Sequence, residues 1–177
     1  MTGDPSEASR IFEITPDLWV QLQGVAPSRD RDFEYRPCRV RLRTGEWRDR
    51  VYVVEAMPYI RYWGVWPWED RGKHYVALED VADIEESPTR MPRNLASRLY
   101  AAGESGMGYF IFKIVLADGR QVACLTGGAV EWVDLPAGIA AEDIAAVIPH
   151  GGREEEARGE ISRGAAYAWC LYRRTED

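Results

Sequence analysis

The chain has 177 residues, of which 46% are hydrophobic, 29% charged and 11% aromatic, and its 22 basic and 29 acidic residues leave a net charge of −7. This balance excludes a disordered chain, and no apolar run approaches the roughly 18–20 residues that a membrane-spanning helix needs. The acidic balance argues against sequence-independent binding of nucleic acid, which requires a basic face to release counterions, and against docking on anionic lipid. Three cysteines, Cys38, Cys124 and Cys170, with wide spacing and no CxxC, exclude a disulfide scaffold and read as reduced thiols of a cytoplasmic protein.

Residues 1–10 are polar and carry no basic segment followed by an apolar one, so they are expected to be a disordered end and not a secretory signal. Ile11–Thr15 and Leu18–Gly24 have the apolar content of two short strands split by Pro16, and residues 26–37 have the proline and charge content of a loop. Arg39-Val40-Arg41-Leu42-Arg43 alternates with period two and runs into Thr44-Gly45, a half-buried strand entering a turn. Arg50–Glu55 is its returning strand, and residues 75–86 read as strand, turn and strand. Ser87-Pro88 breaks the pattern. Pro92–Ala102 then places Leu95, Leu99 and Ala102 on one helical face, with Gly103 as the stop.

Beyond the helix, Tyr109–Leu116 and Gln121–Leu125 flank Asp118-Gly119 as a hairpin. Val130–Val133 is short and apolar, Ala140–Val147 has the pattern of a helical turn, and residues 149–164 have the glycine and charge content of a mobile loop. Tyr167–Tyr172 is apolar on both faces, as a buried strand would be. Many short strands and a single packed helix near 91–102 predict a mainly β or α+β fold.

Two stretches echo each other. Val40-Arg41-Leu42-Arg43-Thr44-Gly45 parallels Ile114-Val115-Leu116-Ala117-Asp118-Gly119. Further on, Ala77-Leu78-Glu79-Asp80-Val81-Ala82-Asp83-Ile84 parallels Ala140-Ala141-Glu142-Asp143-Ile144-Ala145-Ala146-Val147. The echo predicts two similar small β-barrel or sheet units of SH3-like or Sm-like character, either in tandem or fused into one sheet. The corresponding division is a first unit over 11–88, a connecting helix over 89–103 and a second unit over 104–177, or else one domain over 11–177. The first stretch carries extra residues, an aromatic insertion over 59–72.

That insertion is the foremost candidate for function. It holds Tyr62, Trp63, Trp66 and Trp68, followed by Glu69 and Asp70. Gly64 and Pro67 argue against a long strand there. Rings with polar edges left partly exposed are favoured anchors of binding surfaces, with Arg61 and Arg71 available to stack on them and the two acids available to hold a cationic partner. The competing expectation is a lid folded over the core.

A second candidate lies around Gly103-Glu104-Ser105-Gly106-Met107-Gly108-Tyr109, which matches neither a nucleophile elbow nor a phosphate loop. Glu104 and Ser105 there, with His150 and Arg153 from Pro149-His150-Gly151-Gly152-Arg153, are possible ligand contacts. A nucleophile–base–acid set can be assembled from Ser105, His150 or His74, and Glu104, but no spacing supports it. Two histidines and no Cys/His cluster predict no metal site and no cofactor. Arg39, Arg41 and Arg43 share one strand face, where they contact phosphates or, as a solvated sheet face, pair with acids across the ladder. These features predict a non-enzymatic protein that recognises another protein through the aromatic loop, of antitoxin or immunity type. The rival is an enzyme or small-ligand binder with a polar pocket near 103–109 and His150.

Overall fold

The structure, a computed structural model, describes residues 10–174, so all but Arg10 of the expected disordered end lies outside the described residues. The protein is mainly β, with 38% strand and 23% helix, and contains a curled half-barrel sheet and a few helices. In chain order the elements are β1 (Phe12–Glu13), α1 (Pro16–Gly24), β2 (Ser28–Asp30), β3 (Phe33–Tyr35), β4 (Pro37–Leu42), β5 (Trp47–Glu55), α2 (Ala56–Trp63), β6 (His74–Tyr75), β7 (Val81–Glu86), α3 (Arg93–Ala102), β8 (Phe110–Leu116), β9 (Gln121–Thr126), β10 (Ile144–Pro149), α4 (Arg153–Ala157), β11 (Ser162–Arg163) and β12 (Ala168–Arg173). Short 3-10 turns at Leu78–Asp80 and Ala141–Asp143 precede β7 and β10. Among the described residues no helix is long and apolar enough to cross a membrane.

The chain divides into two compact units. Among the described residues the first comprises 10–27, 32–87 and 167–174, and the second 28–31 and 88–166. In the first, the strand order is β1-β12-β5-β4-β7, with β6 also pairing with β12. The last strand of the chain thus lies inside this sheet, parallel to both β1 and β5. Its continuous apolar sequence reflects that position, since both faces are covered.

Alternation sorts the two faces. Val51, Val53, Cys170 and Tyr172 join an aliphatic core with Leu18 and Leu22 of α1. The intervening Tyr52 and Trp169 point the other way, into a cluster of rings with Tyr35, Tyr59 and Tyr167. Trp169, Tyr35, Tyr52 and Tyr59 are all fully buried.

α1 lies where the apolar content predicts a strand over Leu18–Gly24. The local signals explain the helix: Thr15 caps it by accepting from the Leu18 N–H at 3.4 Å, and proline opens its first turn beside Asp17. Leu18 and Leu22 then bury one face at a spacing of four. α2 follows directly on the strand expected to end at Glu55 and takes up the first residues of the aromatic insertion expected over 59–72.

The second unit is a sheet ordered β10-β8-β9-β11. α3 falls where the periodicity predicts it and buries Leu95, Ala96, Leu99 and Tyr100. Ile144 opens strand β10, so the helical turn expected over Ala140–Val147 is confined to its first residues. The segment expected as a mobile loop over 149–164 carries α4 and β11.

In the first unit, Val40 of β4 faces Arg48 on one side and Ile84 on the other. In the second, Ile114 of β8 faces Val122 and Val147. The hairpins close through Gly45 N–H to Leu42 O at 2.8 Å and Gly119 N–H to Leu116 O at 2.9 Å. Gly45 and Gly119 have φ of +91° and +85°, a backbone region that other residues enter only with strain.

Candidate functional site

The aromatic segment is built outward from β5. α2 places Tyr59 and Trp63 one turn apart, and it stops at Gly64, whose φ of +71° supplies the left-handed cap. Trp63 lies among Tyr59, Tyr62 and Trp169, with ring centres 6.4, 5.4 and 5.7 Å away. Tyr62 stacks on Phe33 at 4.8 Å. Trp66 and Trp68 form a separate parallel stack, 5.3 Å between centres and 8° between planes. Trp68 also meets the edge of Tyr75 at 5.1 Å. Tyr62, Trp63, Trp66 and Trp68 are each half-buried, so the segment is neither a sealed lid nor a freely displayed loop.

The polar groups of this segment hold its own backbone. Glu69 Oε2 accepts from the Trp66 N–H at 3.1 Å, and Asp70 Oδ1 accepts from the Gly72 N–H at 3.0 Å. The cations over the rings are not the expected Arg61 and Arg71, both of which are exposed. They are Arg10, 5.8 Å from the centre of Trp68, and Lys73, 4.2 Å from the centre of Trp63. Burial pulls Lys73 below the ordinary lysine range, while the Asp70 carboxylate works in the opposite direction. Burial also holds the Tyr59 and Tyr75 phenols well above the usual tyrosine range.

Sequence reasoning placed Tyr59 in the aromatic insertion without naming it as a contact, and it missed Lys73 and Tyr75. One available signal was that only two of the 22 basic residues are lysines.

The second candidate set is brought together in part. Ser105 Oγ lies 2.9 Å from His150 Nδ1, and Arg153 Nη2 donates to the Ser105 carbonyl at 2.8 Å. His150 Nε2 is 3.1 Å from the carbonyl of Ala102. A carbonyl only accepts, so Nε2 carries a proton, and the single Ser105 hydroxyl hydrogen is shared between His150 Nδ1 and the Ile111 carbonyl as alternative acceptors. Glu104 does not touch the imidazole; its carboxylate accepts from the Gly108 N–H at 3.1 Å. The Ser105 hydroxyl also accepts from the Ile111 N–H at 3.0 Å and lies 3.1 Å from the Ile111 carbonyl. The loop is thereby stapled to the start of β8, with Met107 fully exposed at its tip.

The remaining features resolve into structural pairs. Arg39 pairs with Glu85 at 2.6 Å, and Arg41 pairs with Asp83. Arg43 donates to the Glu79 carbonyl. The three cysteines are buried free thiols, and burial pushes the Cys124 and Cys170 thiols up to about 12, which keeps them protonated and unreactive.

A cleft of about 180 Å³ in the first unit is lined by Glu34, Arg36, Glu55 and Arg174 among others. Four of its charges are paired, Arg36 with Glu34 at 2.9 Å and with the carbonyls ending α1, and Arg174 with Glu55 at 3.4 Å, and Asp32 lines it as well. Among the described residues no group of three or more His, Cys, Asp or Glu side chains is placed to hold a metal ion. Comparison with protein-family models, curated proteins and solved structures gives no match to this chain.

Proposed function

We propose that this protein is a non-enzymatic binding protein that captures another protein on the surface formed by Trp66 and Trp68. The observation that carries this reading is the parallel stack of two half-buried indoles in a loop where Glu69 and Asp70 each accept from a backbone N–H of the same loop. A surface already held in its bound shape avoids part of the ordering cost of association, and tryptophan is the residue type most enriched among energetic anchors. Tyr62, Trp63, Glu69 and Asp70 then act as the frame that holds the two contact rings. A small acidic protein with such a surface belongs with antitoxin or immunity-type proteins, acting in the cytoplasm by occluding its partner. The test is capture from native cytosol by the wild type and by Trp66→Ala/Trp68→Ala. The variant is expected to lose the captured protein while its melting temperature stays nearly unchanged. Capture that survives the double substitution would end this reading.

The rival reading, a serine-dependent enzyme at Ser105, draws on the Ser105–His150 contact. Two features favour the structural role for this pair. The serine already accepts from a backbone N–H, and the imidazole nitrogens meet the Ser105 hydroxyl and the Ala102 carbonyl, with no carboxylate among the described residues orienting the ring. We also infer that the two units are copies of one αββ-turn-β arrangement, whereas the sequence echo predicts two similar β units, in tandem or fused into one sheet, with the helix over 89–103 as a connector. The matching partners of Val40 and Ile114 support it. So does the packing of α1 on β7 and of α3 on β10. On this reading the aromatic segment was added to one copy only.

A further inference from the structure

Lys73 enters the ring cluster from the turn after Asp70. Its Nζ donates to Tyr59 Oη at 3.2 Å and lies 3.6 Å from Asp70 Oδ2. The same atom stands 4.2 Å from the centre of the Trp63 ring and 5.5 Å from that of Tyr59. Only 15% of the side chain is exposed. The face of Trp63, the phenol oxygen of Tyr59 and the Asp70 carboxylate around one ammonium supply the chemistry of cation recognition.

Trp63 is not positioned by its polar edge, because its indole N–H is buried with no acceptor. Its place is set by the groups on its faces. The choice of residue has a reason as well. In a chain with twenty arginines, one of the two lysines sits here, and a compact ammonium fits between the Trp63 face and the Tyr59 oxygen where a planar guanidinium would have to stack.

We propose that Tyr59, Trp63 and Asp70 form a binding cage for a primary or methylated ammonium group, and that the chain fills this cage with its own Lys73. The cage shares Trp63 and Asp70 with the frame of the partner surface but uses neither Trp66 nor Trp68, so it stands whether or not those two rings meet another protein. A tethered ligand acts at an effective concentration in the millimolar range or above, so free ammonium ions do not displace it from the wild type.

Removing the tethered group turns the cage into a measurable site. Lys73→Ala is titrated with n-butylammonium chloride, with n-butanol and sodium chloride as neutral and ionic controls. Butylammonium is expected to raise the melting temperature saturably, by about 2–4 °C, and to alter the indole fluorescence with the same midpoint. The wild type and Lys73→Ala/Trp63→Leu should not respond. An equal effect of butanol, or no effect of either compound, overturns the proposal.

If Lys73→Ala does not fold, the wild type labelled with ε-13C lysine decides. Its two lysines give two signals, and that of Lys73 is expected upfield, shifted by the Trp63 ring, and to move downfield in Trp63→Leu. Two unshifted signals overturn the proposal.

Discussion

The two units arrange their hairpins alike but differ in the connection that leaves each hairpin. In the second unit, the connection between β9 and the 3-10 turn at Ala141 buries its apolar residues, with Val130 fully buried and Trp132 nearly so. In the first, the corresponding connection is long enough to form α2 and a ring cluster of its own around Trp169. Trp66 and Trp68 are left half-buried beyond it. The difference in length goes with a difference in placement: the longer connection carries a second layer, and the outermost rings of that layer remain partly wet.

The largest effect should come from removing the centre of that second layer. Trp169 is fully buried and meets Phe33, Tyr35, Tyr52, Tyr59, Trp63 and Tyr167. Trp169→Ala is expected to cost about 3–5 kcal/mol, read by denaturant unfolding. Amide exchange should rise in the first unit more than in the second. An equal rise in both would show that the units do not have separate cores.

Alkaline pH should divide the units next. Tyr59, Tyr75 and Tyr172, all in the first unit, are held above the ordinary tyrosine range chiefly by burial. An acid whose folded pKa is raised keeps its full contribution to stability below the unfolded value of about 10 and loses it as pH rises through the folded one. Stability should therefore fall above about pH 10. Phenolate absorbance should rise together with loss of exchange protection in the first unit. Stepwise phenol ionisation in an intact fold would contradict this.

Breaking the serine staple tests the other side of the comparison. Ser105→Ala removes the hydroxyl shared by Ile111 and His150. The expected loss is about 1 kcal/mol, with faster exchange confined to residues 103–111 and the aromatic cluster undisturbed.

The smallest effect belongs to the arginine ridge. Arg39→Ala or Arg41→Ala severs an exposed pair with Glu85 or Asp83, for which about 0–1 kcal/mol is expected. A larger loss, measured by the same denaturant unfolding, would mean that the ridge has a second role.

Much of the fold was legible in the chain. Period-two alternation located β4, helical spacing located α3, and the Asp118-Gly119 turn located the β8–β9 hairpin, because each depends on neighbours a few residues apart. α1 was missed although Thr15-Pro16-Asp17 spells a helix start; the apolar content of Leu18–Gly24 outweighed it. For the candidate site, the segment rich in tryptophan was legible, and so was the set containing Ser105, His150 and Arg153. The pairings inside them were not.

The amino-acid order alone determined local matters: which residues alternate, where helices begin and stop, and where glycine permits a tight turn. Tertiary structure alone decided that the final strand lies between β1 and β5, that Trp169 becomes the centre of the rings, and that Lys73 is the cation set against Trp63. Each of these joins residues far apart in the chain or in different elements. Such contacts are selected by how faces fill together, and no short window of sequence contains that information.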